Sequence, residues 1–403
     1  MADATSKPVA TIAAEATVLP IIFAVSFSHM LNDIMQSMIA AIYPMLKTDY
    51  QLDFWQIGIL TLAFQCTASL LQPIVGIITD KKPYPYSLPV GMASTLIGLV
   101  LLATAHDYGM LVLAASMVGI GSAIFHPESS RVARLASGGR YGFAQSVFQV
   151  GGNLGTAIGP LLAAFIIVPR GQGSVAWFCI AAVIGIIVLS RVARWYKAHM
   201  LANAGKKKVV QAHSLPRNTV VLALVILVLL TFSKNIYMAS IGSYYTFFVI
   251  ERFGVTVQQS QLMLFVFLGA SALGTVFGGP IGDRFGSKVV IWVSILGVLP
   301  FTLAMPFANL PVTIVLSALV GFIMASSFPA IIVMAQELVP GRVGMIAGVF
   351  FGFAFGMGGI AAAVLGLLAD SYGIAFVYGI CAFLPALGLL TVFLPSKAAL
   401  RTA

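Results

Sequence analysis

Charge is what this sequence has least of: Asp, Glu, Lys and Arg make up 8% of its 403 residues, against about 25% in an ordinary soluble domain. So little charge cannot solvate the surface of a large water-soluble body, which excludes a soluble enzyme or a nucleic-acid-binding domain as the bulk of the chain. Cysteine is scarce as well. Cys66, Cys179 and Cys381 lie far apart without a CxxC pair, so neither a disulfide framework nor a metal site is expected. HExxH, a GxxxxGK[ST] phosphate loop and a nucleophile triad are all missing, which argues against intramembrane catalysis and ATP-driven pumping and calls for no cofactor.

What is abundant is apolar: 60% of the residues are hydrophobic. A bilayer core about 30 Å thick takes roughly 20 apolar residues per helix. Such runs recur at 18–46, 54–80, 86–106, 109–131, 141–168, 174–194, 218–249, 258–281, 288–308, 311–336, 343–369 and 374–395. The expected fold class is therefore an all-α membrane protein with twelve transmembrane helices. Residues 1–17 are polar and carry no charged start running into a short apolar core, so no removable signal peptide is read there.

The net charge of +10 belongs to the membrane rather than to nucleic acid. With the N-terminus inside, 18 Lys and Arg fall in cytoplasmic segments, three fall outside (Lys47, Arg170 and Arg252), and Lys234 lies within a span. This asymmetry predicts that both termini are cytoplasmic. The basic run RVARWYKAHMLANAGKKK reads as a topology signal and linker with some attraction to anionic lipid.

The chain also repeats itself. VGIGSAIFHP (118–127) aligns with VGFIMASSFP (320–329), GIITDK (76–81) with GPIGDR (279–284), and Arg140 and Gly142 with Arg342 and Gly344. Twelve spans are then six plus six: an N-terminal bundle over 1–190, a linker over 191–217 and a C-terminal bundle over 218–403. Six spans per half give both halves one orientation, with the natural ligand site between them near the midplane.

GPIGDRFGSK (279–288) resembles the loop signature of the major facilitator superfamily, which implies a conformational latch carried by Gly279, Asp283, Arg284, Gly286 and Lys288. The first-half copy keeps Gly76 and Asp80, puts Lys81 in the arginine position and lacks the following glycine, so its latch is expected to be built differently. GTAIGP (155–160) resembles the small-residue motif of exporters in that superfamily; Gly155, Gly159 and Pro160 serve either gating or close helix packing. The segment 125–164, together with HMLND (29–33) and the overall length, resembles a bacterial drug exporter of this family. The resemblance implies two six-helix bundles, proton-driven efflux, a phosphonate-like substrate, no cofactor beyond the proton gradient, and a monomer in the bacterial inner membrane. One departure is Ser116, at a position where many proton-coupled drug exporters of the family have arginine.

Buried polar residues carry the expected chemistry. His29, Asn32, Asp33 and Gln36 fall within an arc of about 100° on one helical face, and Asp33 lies roughly 22 Å into its helix. A charge at that depth costs at least ~2.5 kcal/mol, so it should face a cavity or a partner. A low-dielectric site brings Asp33 and His29 toward proton exchange near neutral pH; a polar packing cluster is the alternative. Lys234 interrupts the seventh run at its middle, either bridged to Asp33 or open to an anionic substrate.

His126, Glu128 and Arg131 approach the cytoplasmic end of the fourth run, as solvated end charges or as cavity groups. In the cavity reading Arg131 is a phosphonate donor, and Glu128 is a second proton carrier or its ion-pair partner. Gln149 and Asn153 share a face of the fifth run and offer neutral donors to a polar ligand. The expected assignment is thus proton coupling by Asp33, His29 and Glu128, and substrate binding by Lys234, Arg131, Asn32, Gln36, His126, Gln149 and Asn153. The expected activity is export of a small anion against protons; the competing reading is a proton-coupled uptake symporter for an organic anion or phosphate ester.

Overall fold

Helix starts in the computed structural model repeat along the chain as the sequence does. Asp53 and Thr256 each open a helix, with the side chains of Gln56 and Gln259 accepting their backbone N–H groups at 2.8 and 3.0 Å. Asp107 and Asn309 open another equivalent pair, accepting the N–H groups of Met110 and Val312 at 2.9 and 3.1 Å. Each cap satisfies a donor that the helix itself leaves unpaired. The structure describes residues 16–203 and 215–401. The polar segment 1–15 and Lys206, Lys207 and Lys208 of the basic linker lie outside the described residues.

The chain forms twelve membrane-crossing helices in two six-helix bundles. The first bundle holds α1 (Leu19–Ala41), α2 (Phe54–Lys81), α3 (Ser87–Thr104), α4 (Tyr108–Ala136), α5 (Tyr141–Arg170) and α6 (Gln172–Ala202). The second holds α7 (Arg217–Phe253), α8 (Val257–Phe285), α9 (Ser287–Phe307), α10 (Leu310–Leu338), α11 (Val343–Tyr372) and α12 (Ile374–Phe393).

Several expected runs are interrupted, and proline accounts for most of the breaks. The first run stops at Ala41 and resumes as Tyr43–Asp49, with Pro44 in its first turn. In α10 the helix breaks at Ser326, where the missing N–H of Pro329 leaves the preceding turn without a partner. Segments of α9 and α12 that contain Pro306 and Pro385 wind as tighter 3-10 turns. A π-helical turn, Ala163–Ile167, follows Pro160 in α5. The sixth helix runs on through Arg191, Arg194 and Lys197 to Ala202, so the first part of the expected linker is helical.

The halves meet at one end along two equivalent crossings, α2 with α11 and α8 with α5. A Cβ at Gly76 would overlap the Gly344 carbonyl, and one at Gly279 would overlap that of Gly142. Bare backbones therefore touch at both crossings. At each, a carboxylate finishes the job. Asp80 accepts the Gly344 and Met345 N–H groups at 3.0 and 2.8 Å, and Asp283 accepts those of Gly142 and Phe143 at 2.7 and 2.8 Å. A carboxylate at a helix N-terminus meets unpaired donors and the positive end of the helix dipole. This end also gathers the first and last described segments: Val18 N–H reaches the Ala136 carbonyl at 2.8 Å, and Lys397 Nζ reaches that of Asp283 at 2.5 Å. It is the basic end of the molecule.

The two latches differ behind the carboxylate. Lys81 is exposed; in its place Arg131, reaching across from α4, pairs with Asp80 at 2.6 Å and with Glu128 at 3.3 Å, and donates to Thr79 Oγ1 at 2.8 Å. Ser87 donates to the second Glu128 oxygen at 3.2 Å. Arg131 thus belongs to the first crossing, and Glu128, fully buried, is its ion-pair partner. In the second half Gly286 turns the chain at φ 96°, while Arg284 lies over the Phe285 ring at 5.2 Å. Lys288 is tied to the carbonyls of Val392 and Leu394 at 3.0 and 2.5 Å.

Two outcomes are expected in thermal unfolding of the detergent-purified protein. Gly76→Ala should destabilise by about 1–3 kcal/mol through overpacking, whereas Gly242→Ala, where a Cβ meets nothing within 4 Å, should be neutral or stabilising. Equal effects would deny the close crossing. Arg131→Met should cost about 3–5 kcal/mol by leaving Asp80 and Glu128 unpaired, and adding Glu128→Gln should recover part of that loss.

Candidate functional site

Where α1 lies along α5, small residues bring the helices together. Gly155 faces the Met30 carbonyl, and Gly159 faces Ser37 and the Ile34 carbonyl, while Pro160 is exposed on the outer face of α5. Gly152 has a further role. A Cβ there would overlap the His29 ring and crowd Asp33 Oδ2, so the missing side chain makes room for both.

In that space three side chains converge. His29 Nε2 lies 3.4 Å from Asp33 Oδ2, His126 Nε2 lies 3.7 Å from Asp33 Oδ1, and the two Nε2 atoms are 3.2 Å apart. His29 and His126 are 1% and 0% exposed and Asp33 is 7% exposed. The other ring nitrogens determine what this means. His29 Nδ1 is 2.8 Å from the Phe148 carbonyl and His126 Nδ1 is 3.0 Å from the Ser122 carbonyl. A carbonyl only accepts, so we assign the hydrogen of each ring to Nδ1; the Ser122 hydroxyl, 3.2 Å from His126 Nδ1, then accepts as well. In the neutral rings both Nε2 atoms are then bare lone pairs, aimed at each other and at a carboxylate.

Three acceptors facing one another repel unless a hydrogen lies between them. One proton, carried by an Nε2 or by the carboxylate, supplies it and is donated to a neighbour. The carboxylate is held ready by Asn32 Nδ2 at 3.1 Å, Gln36 Nε2 at 3.4 Å and Thr156 Oγ1 at 3.5 Å. The same three ligand atoms lie within 4.8 Å of one another, close enough for a metal ion. Among the described residues no fourth donor of that kind completes a tetrahedral set, and a proton requires none.

The second half places different chemistry at the positions that its local motifs match to the first. Lys234 of α7 answers His29 of α1, as FSK answers FSH, and Phe328 of α10 answers His126 of α4. Lys234 Nζ sits 4.7 Å over the Phe328 ring and is half-buried. Among the described residues no carboxylate lies within 4.0 Å of it. Of the two readings of Lys234, the bridge to Asp33 is not formed in this structure: imidazoles occupy the acid. Beside Lys234, Asn235 Nδ2 is a buried donor without a hydrogen-bond partner among the described residues.

The remaining candidates divide by position. Asn32 and Gln36 stand against Asp33, and His126, expected at the substrate, stands with His29. Depth explains why: His29 is ten residues into α1 and His126 ten from the end of α4, so both lie roughly 15 Å from the basic end. That equality was legible in the sequence. Asn153 spans the halves, donating to Thr275 Oγ1 at 3.0 Å and facing Gln149 Nε2 at 3.4 Å. The carbonyls of Phe148 and Ser122 carried no sequence signal, because every residue has one.

Comparison with known proteins agrees with this architecture. The model of the Major Facilitator Superfamily matches residues 25–251 and 227–402. The fosmidomycin resistance protein of Escherichia coli (strain K12) is 60% identical over 395 residues, covering 97% of this chain and 97% of that protein. The uncharacterized MFS-type transporter YfnC of Bacillus subtilis (strain 168) is 42% identical over 388 residues, covering 96% and 95%. Among solved structures, the human organic anion transporter MFSD10 (TETRAN) superposes with TM-score 0.75 at 16% identity, covering 94% of this chain and 99% of that one. The transporter FucP in its outward conformation gives 0.73 at 18%, with 94% and 99% covered. At such identities the structural likeness speaks to the fold alone. Twelve helices in two six-helix bundles, the family match and the 60% identical relative lead to one conclusion: the chain belongs to the major facilitator superfamily and is a transporter, not an enzyme.

Proposed function

We propose that this transporter exports small anionic compounds resembling fosmidomycin in exchange for protons, by alternating access, with the basic end facing the cytoplasm of a bacterial inner membrane. The observation that carries the reading is the convergence of His29 Nε2 and His126 Nε2 on the buried Asp33 carboxylate, with the Phe148 and Ser122 carbonyls behind the two rings. Such a site is complete with one proton and strained without it. The relative's name supplies the substrate class, and the charge distribution supplies the orientation.

Lys234 is the anion's partner. An ammonium at membrane depth with no carboxylate beside it is costly until a negative charge arrives, and the buried Asn235 amide adds a neutral donor. Proton and substrate then occupy equivalent places in the two halves. Asp33, with His29 and His126, takes the proton that drives the cycle; the gradient is the energy source and no cofactor is needed. Glu128 is assigned to the latch with Arg131, and the close crossings at Gly76 and Gly279 with Asp80 and Asp283 hold the cytoplasmic side shut in the state described. A single chain contains both halves of the device, so the unit of transport is a monomer.

The test uses purified protein in liposomes with an imposed pH gradient and an internal pH dye. Added fosmidomycin should drive proton flux in the wild type, and Asp33→Asn should abolish it while still binding substrate. Wild type without substrate-driven flux would refute proton-coupled export. Lys234→Gln removes a charge-assisted contact worth about 1.5–3 kcal/mol, so the half-saturating concentration should rise at least about tenfold; an unchanged value would remove Lys234 from the substrate site.

A further inference from the structure

The triad and Lys234 are separated by two rings, Phe351 and Phe328. Phe351 of α11 is 2% exposed, and its ring centre is 5.3 Å from that of His126 and 5.2 Å from that of Phe328. Phe328 in turn lies under Lys234 Nζ. Phe148, stacked on His29 at 4.1 Å, stands 6.1 Å from the same Phe351 ring. A continuous aromatic series therefore runs from His29 and His126 through Phe351 to Phe328, and Phe351 is where it passes from one half of the molecule to the other.

Depth gives the series a direction. Phe351 is eight residues into α11 and Phe148 seven into α5, roughly 10–12 Å from the basic end, whereas Asp33 is roughly 21 Å along α1. The rings form a layer on the basic side of the carboxylate. A packed apolar layer of this kind excludes water, and with it proton passage. The small exposure that remains in the cluster falls on Asp33 and Gln36, 7% and 8%, and Gln36 lies further from the basic end.

The helix that carries Phe351 is also the helix held by the first latch. Asp80 caps its N-terminus, and Gly348 and Gly352 bring its backbone against the carbonyls of Gln72 and Ser69 on α2. Movement of α11 away from α2 would carry the Phe351 ring out of its place between His126 and Phe328.

We propose that Phe351 is the coupling residue of this transporter, a ring that seals the His29, His126 and Asp33 site from the basic end and ties that seal to the position of α11. It is a positioning residue: it binds neither proton nor anion, and its effect is exerted through His126 and Phe328. The inference rests on the proton-coupled reading above.

The experiment uses the full chain in liposomes with the internal pH dye and no substrate. Phe351→Ala should dissipate an imposed pH gradient at least about fivefold faster than wild type, and Phe351→Leu, which keeps apolar bulk, should hold it nearly as well as wild type. Both should keep the half-saturating concentration for fosmidomycin within about twofold, which a general loss of structure would not. A tight Phe351→Ala with intact substrate-driven flux overturns the proposal, as does Phe351→Leu leaking as fast as Phe351→Ala. If Phe351→Ala does not fold, Phe351→Val decides by the same comparison. Wild type lacking substrate-driven flux would refute the parent reading and this proposal together; a coupled wild type beside a tight alanine variant refutes this one alone.

Discussion

Two imidazole nitrogens and a carboxylate that meet as acceptors repel one another away from water until a hydrogen lies between them. His29, His126 and Asp33 are built into that situation by backbone carbonyls that hold the opposite ring nitrogens. Much of the first bundle is arranged around it. Gly152 gives up a side chain so that the ring and the acid fit, Gly155 and Gly159 bring α1 close enough to α5 to present them, and Asn32, Gln36 and Thr156 fix the carboxylate. Aromatic rings cover the rest: Phe148 stacks on His29, and Phe125 stands edge-on to His126.

The internal repeat shows how one scaffold yields two chemistries. His126 is replaced by Phe328 at the repeat offset, and the local match of FSH with FSK sets Lys234 against His29, so a pair of facing imidazoles gives way to a cation over a ring. Asp80 and Asp283 repeat more faithfully, since each meets the same physical need, the unpaired N–H groups at the start of a helix from the other half. Chemistry diverges where side chain meets side chain. It persists where a carboxylate meets backbone.

Much of this was legible in the sequence, because lipid permits few solutions. Apolar run lengths gave the helices, the 202- to 203-residue offset between motifs gave the two bundles, and the cost of burying Asp33 marked the site. What could not be read were partners supplied by distant elements. Arg131 looked like an anion donor because its ion pair with Asp80 joins α4 to the end of α2. His126 looked like a substrate residue because its neighbour His29 is on another helix. Helix interruptions were missed for a different reason: the apolar pattern continues unbroken through Ser326 and Pro385 while the backbone changes winding.

The fate of Arg131 has a general physical basis. A guanidinium near membrane depth will be drawn to the most concentrated negative charge within reach, and Asp80 and Glu128 together offer more than a transient ligand can. Lys234 is held by no such partner among the described residues and faces only a ring. An arginine locked into a buried ionic network stabilises one arrangement of helices. In the proposed function, a lysine kept away from carboxylates among the described residues retains its unbalanced charge for an anion entering between the halves, and that difference in pairing, rather than in charge, sets Lys234 apart from Arg131.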